Sequence, residues 1–300
     1  MRAVVMERFG GPEVLQVAEV PDAPAPGAGQ VRVTVRAAAV NPVDCQVRSG
    51  SKGDELTVPL PMTLGWDLSG TVDAVGAGVT RFRVGDPVIG MSAQAATGLG
   101  TWAERVTLGE DLLAPAPSSV PLADAAALPL GALSTFQALD RLDLPAGAWL
   151  LVTGGVGALG GFALQAARDR GWRTAAVVRP ADHDLARELG ADEVLTSVPE
   201  EPRYDALFET AGLAGAVRGV RDGGRAVTVV PTAVPAAERG IEPVVSFVDQ
   251  DGARLERLAA LVDDKVLTVR VGGVYPFASA AEAVARFEAG GVRGKVLLVP

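Results

Sequence analysis

The segment Thr153-Gly154-Gly155-Val156-Gly157-Ala158-Leu159-Gly160-Gly161 carries the sharpest chemical signal in the chain. Gly155, Gly157 and Gly160 are spaced as G-x-G-x-x-G, between an apolar run and a helix-forming run. That pattern suits a dinucleotide. Positions without side chains let the backbone turn tightly and approach a pyrophosphate, and a helix opening at Ala158 and Leu159 offers unpaired N–H groups and the positive end of its dipole. The bland alternative is a glycine-rich strand-to-helix turn with no ligand. About 24 residues past Gly155, the next strand ends in Val177-Val178-Arg179-Pro180, where an acid would grip the ribose 2′-hydroxyl of NAD. Arg179 suits the 2′-phosphate of NADPH instead, with Val178 beside it at the strand end and His183 as a helper. Against this stand two plain surface roles: an exposed arginine close to Asp182, and a solvated histidine at a helix start.

Composition narrows the chemistry further. The 300 residues are 48% hydrophobic and 21% charged, enough apolar material for a large core in about two domains. Lys and Arg total 27 against 36 Asp and Glu, a formal charge of −9 that repels phosphate backbones and argues against nucleic acid as a partner. A single cysteine, Cys45, excludes an intramolecular disulfide and any cysteine-rich zinc site, and a single histidine, His183, excludes a multi-histidine metal centre. The start, Met1-Arg2-Ala3-Val4-Val5-Met6-Glu7, is charged too early for a signal peptide, and no apolar run reaches the ~18 residues of a membrane span. The expectation is a cytoplasmic protein with no membrane partner.

The elements that must position these residues fall into two kinds. The first third is β-rich: Arg2–Glu7, Leu15–Val20, Gln30–Val40, Ser69–Val75, Pro87–Met91 and Trp102–Thr107 read as short strands between glycine corners, suggesting a sandwich or partly open barrel. After Pro121 the character changes. Leu122–Leu142 reads as a helix interrupted near Pro129 and Gly131, and then strands and helices alternate. Trp149–Thr153, Thr174–Val178, Glu193–Leu195, Ala206–Phe208, Ala226–Val230 and Val244–Val248 are apolar strands, and Ala158–Arg170, His183–Leu189 and Arg254–Val262 are helices. Continuous apolar strands separated by helices indicate a parallel sheet covered on both faces. Residues 266–299 return to strand, helix (Ala280–Ala289) and strand (Lys295–Val299), so the chain reads as a β domain completed from beyond an inserted α/β domain.

With these residues in hand, the chain resembles the zinc-independent quinone oxidoreductases, the zeta-crystallin-like branch of the medium-chain dehydrogenase/reductase superfamily. The resemblance is carried in order by Phe9-Gly10-Gly11-Pro12-Glu13-Val14-Leu15, Val40-Asn41-Pro42-Val43-Asp44, Arg48-Ser49-Gly50, Leu64-Gly65-Trp66-Asp67-Leu68-Ser69-Gly70 and Gly85-Asp86-Pro87-Val88. It continues through Ala126-Ala127-Leu128-Pro129-Leu130, Leu189-Gly190-Ala191-Asp192, Gly223-Gly224-Arg225 and Arg293-Gly294-Lys295-Val296. It implies a GroES-like β-barrel domain (residues 1–121), an inserted Rossmann doubly wound domain (122–265) and a C-terminal return (266–300), with the active site in the cleft between domains and a homodimer as the usual assembly. Zinc-dependent relatives hold their metal with a cysteine near position 41 and a histidine in a G-H-E motif; Asn41 and Trp66 stand there in this chain, so no metal is expected. A tyrosine often found after the Asn-Pro-Val segment is replaced by Gln46.

The implied reaction is hydride transfer from NADPH to a quinone or an activated enone. An enoyl reductase tailoring a polyketide-type intermediate, and a non-catalytic NADPH-binding protein, are the alternatives. Such chemistry needs orientation, a dry cleft and charge stabilisation more than acid–base groups. By resemblance, Asn41 and Thr135 face the nicotinamide end, either polarising the acceptor or orienting the carboxamide; an Asn-Pro turn is the plain alternative for Asn41. Thr210, Val230, Phe247 and Lys295 are placed along the cofactor, and Asp44, Gln46, Trp66 and Ser92 at the acceptor, lined by loops around 44–58 and 91–100. Asp44 reads as a general base or, as an Asp beside a turn, a structural residue. Cys45 has no histidine nearby in sequence and is no thiolate nucleophile. No side chain reads as an obligatory proton donor, so solvent is expected to protonate the product.

Overall fold

The computed structural model describes residues 1–52 and 59–300. The 53–58 part of the expected acceptor loop therefore lies outside the described residues. Contacts divide the chain into two units, one formed by Met1–Leu130, Gln250–Asp264 and Val269–Pro300, the other by Gly131–Asp249 and Lys265–Thr268.

The first unit begins with strands β1 (Arg2–Met6), β2 (Gln16–Glu19) and β3 (Gln30–Ala39), helix α1 (Pro42–Ser49), strands β4 (Met62–Thr63), β5 (Asp67–Val75) and β6 (Pro87–Met91), the short helix α2 (Gln94–Thr97), and strands β7 (Arg105–Gly109) and β8 (Leu113–Pro115). Helix α3 (Pro129–Asp140) carries the chain into the second unit. There β9 (Trp149–Thr153), α4 (Ala158–Asp169), β10 (Arg173–Val177), α5 (His183–Glu188), β11 (Glu193–Leu195), β12 (Tyr204–Glu209), β13 (Val220–Thr228) and β14 (Val244–Val245) follow. The return is α6 (Gly252–Asp263), β15 (Val271–Pro276), α7 (Ala280–Glu288) and β16 (Lys295–Val299).

In the first unit, β15-β16-β3-β5-β6-β8 form one ordered sheet, with β7 also pairing β3, and β2-β1-β4 form a second. The alternation in β3 is literal: Val31, Val33 and Val35 are buried with Leu68, Val72, Val88, Val106, Leu108 and Leu113, while Thr34 and Arg36 face outward. The last strand, β16, lies between β15 and β3, with Leu297 opposite Ala39 and Leu298 opposite Ala38. The C-terminal residues are thus interior to the sheet that the N-terminal third begins.

In the second unit the described strands run in the order β11-β10-β9-β12-β13-β14, every pairing parallel. That is a doubly wound sheet whose strand order reverses between β9 and β12, where the crevice beyond the strand ends takes a ligand.

The unit bounds differ from 1–121, 122–265 and 266–300 at both ends of the insertion. Residues 122–130 stay with the first unit because Ala126 and Ala127 pack with Ala37, Ala39 and Leu297. Helix α6 stays there because Gly252 sits so tightly on the β8 edge that a Cβ would lie 2.3 Å from the Asp111 carbonyl and 2.6 Å from that of Leu113. The segment for which an Asn-Pro turn is the plain alternative forms α1: Pro42 occupies the first helical position and Gly50 ends it in the left-handed region.

Candidate functional site

In the second unit the glycine loop joins β9 to α4, at the reversal point of the sheet. Gly154 takes φ +62° to start the turn. A Cβ on Gly155 would lie 2.8 Å from Ala176 Cβ, and one on Gly160 2.3 Å from the Gly154 carbonyl, so these two glycines allow loop, strand and helix to touch. Gly157 differs. It is the extended N-cap of α4, with no side-chain cap, and a Cβ there would meet only the Gly154 carbonyl, at 3.1 Å. A side-chain-free N-cap followed by the first-turn N–H groups of Ala158, Leu159 and Gly160 is what a diphosphate cradle requires.

One strand over, Val178 is buried and donates its N–H to the Leu195 carbonyl (2.8 Å). Arg179 is 63% exposed; its Nε reaches buried Asp182 at 3.3 Å, and its Nη groups make no hydrogen bond among the described residues. His183 Nε2 is buried without a partner. A guanidinium with free donors and an unpaired imidazole nitrogen at the end of β10 fit an adenosine 2′-phosphate.

Beside the loop stands a residue that the sequence reading missed. Glu209 ends β12, fully buried. Its Oε1 accepts from Thr153 Oγ1 (2.9 Å), Ala211 N (2.9 Å) and Leu213 N (3.0 Å), and its Oε2 accepts from Thr228 Oγ1 (3.2 Å). One carboxylate therefore ties the ends of β9, β12 and β13. Thr210, expected along the cofactor, is held by the same knot, donating its N–H to Thr153 Oγ1 (2.9 Å) and its hydroxyl to the Thr153 carbonyl (2.6 Å). Val230 donates its N–H to Thr228 Oγ1 (3.0 Å), and Phe247 stands exposed beyond β14. Thr135 is buried on α3; its hydroxyl lies 2.8 Å from the Gly131 carbonyl and 3.3 Å from that of Leu159. The other end of the sheet holds Tyr204, whose hydroxyl donates to Glu193 (2.9 Å) and accepts from Arg203 (2.7 Å). Burial pushes that phenol up to about 12.

The first unit gathers a second constellation. Asn41 caps α1, and Asp44, three residues on, returns its carboxylate to the Asn41 N–H (2.8 Å) while also accepting from Gly65 N (3.1 Å). Asp67, at the start of β5, accepts from Asn41 Nδ2 (2.9 Å) and Lys295 Nζ (2.9 Å) with one oxygen and from Leu130 N (2.6 Å) with the other. Lys295 also donates to Asn41 Oδ1. All four side chains are buried. Desolvation, reinforced by the Asp67 charge, pushes Asp44 up to about 7 against the pull of its two N–H donors and Lys295. Lys295, expected along the cofactor, thus has two of its three donors spent inside the protein, and Asp44, expected at the acceptor, is spent on backbone.

The remaining acceptor-side residues separate in the same way. Ser92 is buried and donates to the Leu99 carbonyl (2.6 Å), closing the 92–99 loop. Gln46 is half-buried, and its side-chain amide makes no hydrogen bond among the described residues; the Trp66 Nε1–H is likewise unpartnered. These two keep free donors. Burial, with Asp44 and Glu288 close by, pushes the Cys45 thiol up to about 12, away from thiolate character. Among the described residues no three His, Cys, Asp or Glu side chains gather to hold a metal ion. Asn41 and Trp66 do not fit one either, since a lysine ammonium already occupies the polar contacts of Asn41 and Asp67.

Comparison with known proteins finds two family matches along the chain. Residues 27–118 match the alcohol dehydrogenase GroES-like domain family and residues 189–298 the zinc-binding dehydrogenase family. The chain is 31% identical over 314 residues to the NADPH-dependent alkenal/one oxidoreductase, chloroplastic, of Arabidopsis thaliana, covering 100% of this chain and 80% of that protein. Its structure is similar to the quinone oxidoreductase from Coxiella burnetii (TM-score 0.89, 25% identity, 100% and 99% of the two chains). It is similar also to an NAD-dependent alcohol dehydrogenase (TM-score 0.87, 34% identity, 100% of both chains).

Proposed function

This chain belongs to the medium-chain dehydrogenase/reductase superfamily, and from that premise we propose that it is an NADPH-dependent oxidoreductase acting without metal on an α,β-unsaturated carbonyl compound or a quinone. The observation that carries the reading is the cradle itself: a glycine loop running from β9 into a helix N-terminus with no side-chain cap, with Arg179 presenting free Nη donors at the end of the neighbouring strand. When bound, NADPH supplies hydride to the β-carbon or the quinone ring, leaving negative charge on the acceptor oxygen.

The chain's own residues do the rest. Backbone N–H groups at Ala158 and Leu159 hold the diphosphate, and Arg179 with His183 selects the 2′-phosphate. The Glu209 knot keeps Thr210 and the 229–230 turn in place beside the loop. Asn41 and Thr135 serve the nicotinamide end, and Gln46 and Trp66, the two acceptor-side residues with unengaged donors, meet the oxygen that gains charge. Asp44 and Ser92 hold backbone. No side chain is assigned as an obligatory proton donor, and the proton comes from solvent.

The test is NADPH oxidation, followed by absorbance, with hex-2-enal and 1,4-naphthoquinone. Both are expected to be reduced, with NADPH preferred to NADH. Arg179→Ala is expected to raise the KM for NADPH at least tenfold while leaving that for NADH within twofold. Equal losses would remove the 2′-phosphate role. NADPH binding without turnover of any acceptor would favour a non-catalytic binding protein, and turnover confined to enoyl thioesters the tailoring reductase. The reading includes a cytoplasmic homodimer, supported by the family resemblance; sedimentation of the purified chain and localisation of a tagged chain test the two parts.

A further inference from the structure

Three distant segments meet at Asn41. Strand β16 runs antiparallel to β3 with Leu297 opposite Ala39, and the Val40 N–H donates to the Val296 carbonyl (2.9 Å), which brings Lys295 level with Asn41. On the other side of β3, Asp67 is the pairing partner of Ala39. The three side chains are 1%, 4% and 0% exposed for Asn41, Lys295 and Asp67. They close a ring: Lys295 donates to Asn41 Oδ1 and to Asp67 (2.9 Å), and Asn41 Nδ2 donates to Asp67 (2.9 Å).

The ring has a direction. A side-chain amide can be turned end for end with little change in shape, but an ammonium only donates and an ionised carboxylate only accepts. Reversing the Asn41 amide would set its NH₂ against the ammonium and its oxygen against the carboxylate. Two charge-assisted hydrogen bonds would become two repulsions. Asp67 is itself immobilised through its other oxygen by Leu130 N (2.6 Å). The Asn41 amide keeps a second N–H, only 3.5 Å from the Ala39 carbonyl, a weak contact.

We infer that Asp67 and Lys295 are positioning residues for Asn41: together they hold its amide in one of two orientations, and the reaction depends on them through that amide. The inference rests on the reading of Asn41 as a residue serving the reacting end. The group it would meet is a carbonyl, of the nicotinamide carboxamide or of the acceptor.

The experiment compares Asn41→Ala, the paired variant Asp67→Asn/Lys295→Met, which removes both charges together and leaves no lone buried ion, and the triple variant. With hex-2-enal, Asn41→Ala and the paired variant are each expected to lose at least thirtyfold in kcat/KM, and the triple variant no more than the larger single loss. A paired variant that melts near the wild type and turns over like it, or a triple variant showing the product of both losses, would overturn the inference. Weakened NADPH binding with kcat preserved at saturation assigns the carbonyl to the carboxamide; a lowered kcat assigns it to the acceptor. A second readout needs neither turnover nor a variant. In asparagine-labelled wild-type protein, where Asn41 is the one asparagine, its side-chain NH₂ is expected to give one signal pair exchanging at least a hundredfold slower than that of the same protein unfolded in urea. Exchange at the unfolded rate would sink the orientation on its own. Wild-type turnover in Asn41→Ala would instead sink the reading beneath it, and the amide signal would still decide the orientation.

Discussion

Asp44 shows how one residue's surroundings become a property of the whole protein. Its carboxyl stands near 3.8 in an unfolded chain and about 7 in this fold, chiefly through desolvation. The folded state therefore holds the proton more tightly, and stability is lost as pH rises from about 4 to about 7, then levels off. The shift corresponds to a pH-dependent cost on the order of 4 kcal/mol. Asp44→Asn cannot ionise, though it gives up an acceptor for one of two N–H groups at any pH. Thermal unfolding of both proteins from about pH 4.5 to 8.5 is expected to show the wild type losing ground steadily to the variant up to neutrality. A difference that stays flat, or grows the other way, contradicts the burial argument.

At the scale of elements, the β9–loop–α4 unit separates packing from binding within a single motif. Gly160 is needed by the fold, because a Cβ there would overlap the Gly154 carbonyl at 2.3 Å, while Gly157 has nothing nearer than 3.1 Å. Gly160→Ala is expected to cost about 1–3 kcal/mol by overpacking. Gly157→Ala is expected to melt close to the wild type yet bind NADPH at least tenfold more weakly, since its methyl would occupy the pyrophosphate approach. Thermal unfolding paired with fluorescence titration of NADPH distinguishes the two; equal destabilisation by both would contradict the division. The Glu209 knot is the counterpart on β12 and β13, where one carboxylate keeps two loop starts in register.

At the scale of the molecule, the first unit cannot close before the chain ends. Val296, Leu297 and Leu298 are fully buried on β16, between β15 and β3, and Lys295 supplies the only charge partner of Asp67 among the described residues. Removing residues 269–300 strips Val296, Leu297 and Leu298, each contributing about 1.5–3 kcal/mol and together approaching a typical domain's whole stability, and takes buried Phe277 and Val284 with them. It also leaves Asp67 buried without a counter-charge. The truncated chain is expected to lose the cooperative melt of the first unit, followed by circular dichroism; a wild-type transition in that variant would contradict the interior role of β16.

The glycine loop, the Arg179 strand end and most strands were legible in the residues, since each rests on chemistry within a few neighbouring positions: glycines for a tight turn, alternation for a half-buried strand, apolar runs for a covered parallel sheet. Helix α1 was legible in principle through Pro42, Asp44 and Gly50, but the Asn-Pro pair argued for a turn. Asn41, Asp44 and Lys295 were named one by one with separate duties, and Asp67 lay inside a quoted motif without one. Only the antiparallel register of β16 on β3, and of β3 on β5, shows them to be one buried cluster. Glu209 escaped for the same reason, its donors coming from three strand ends. Local backbone chemistry is written in adjacent residues; the pairing of charges far apart in the chain exists only once sheet register has placed them within hydrogen-bonding distance away from water.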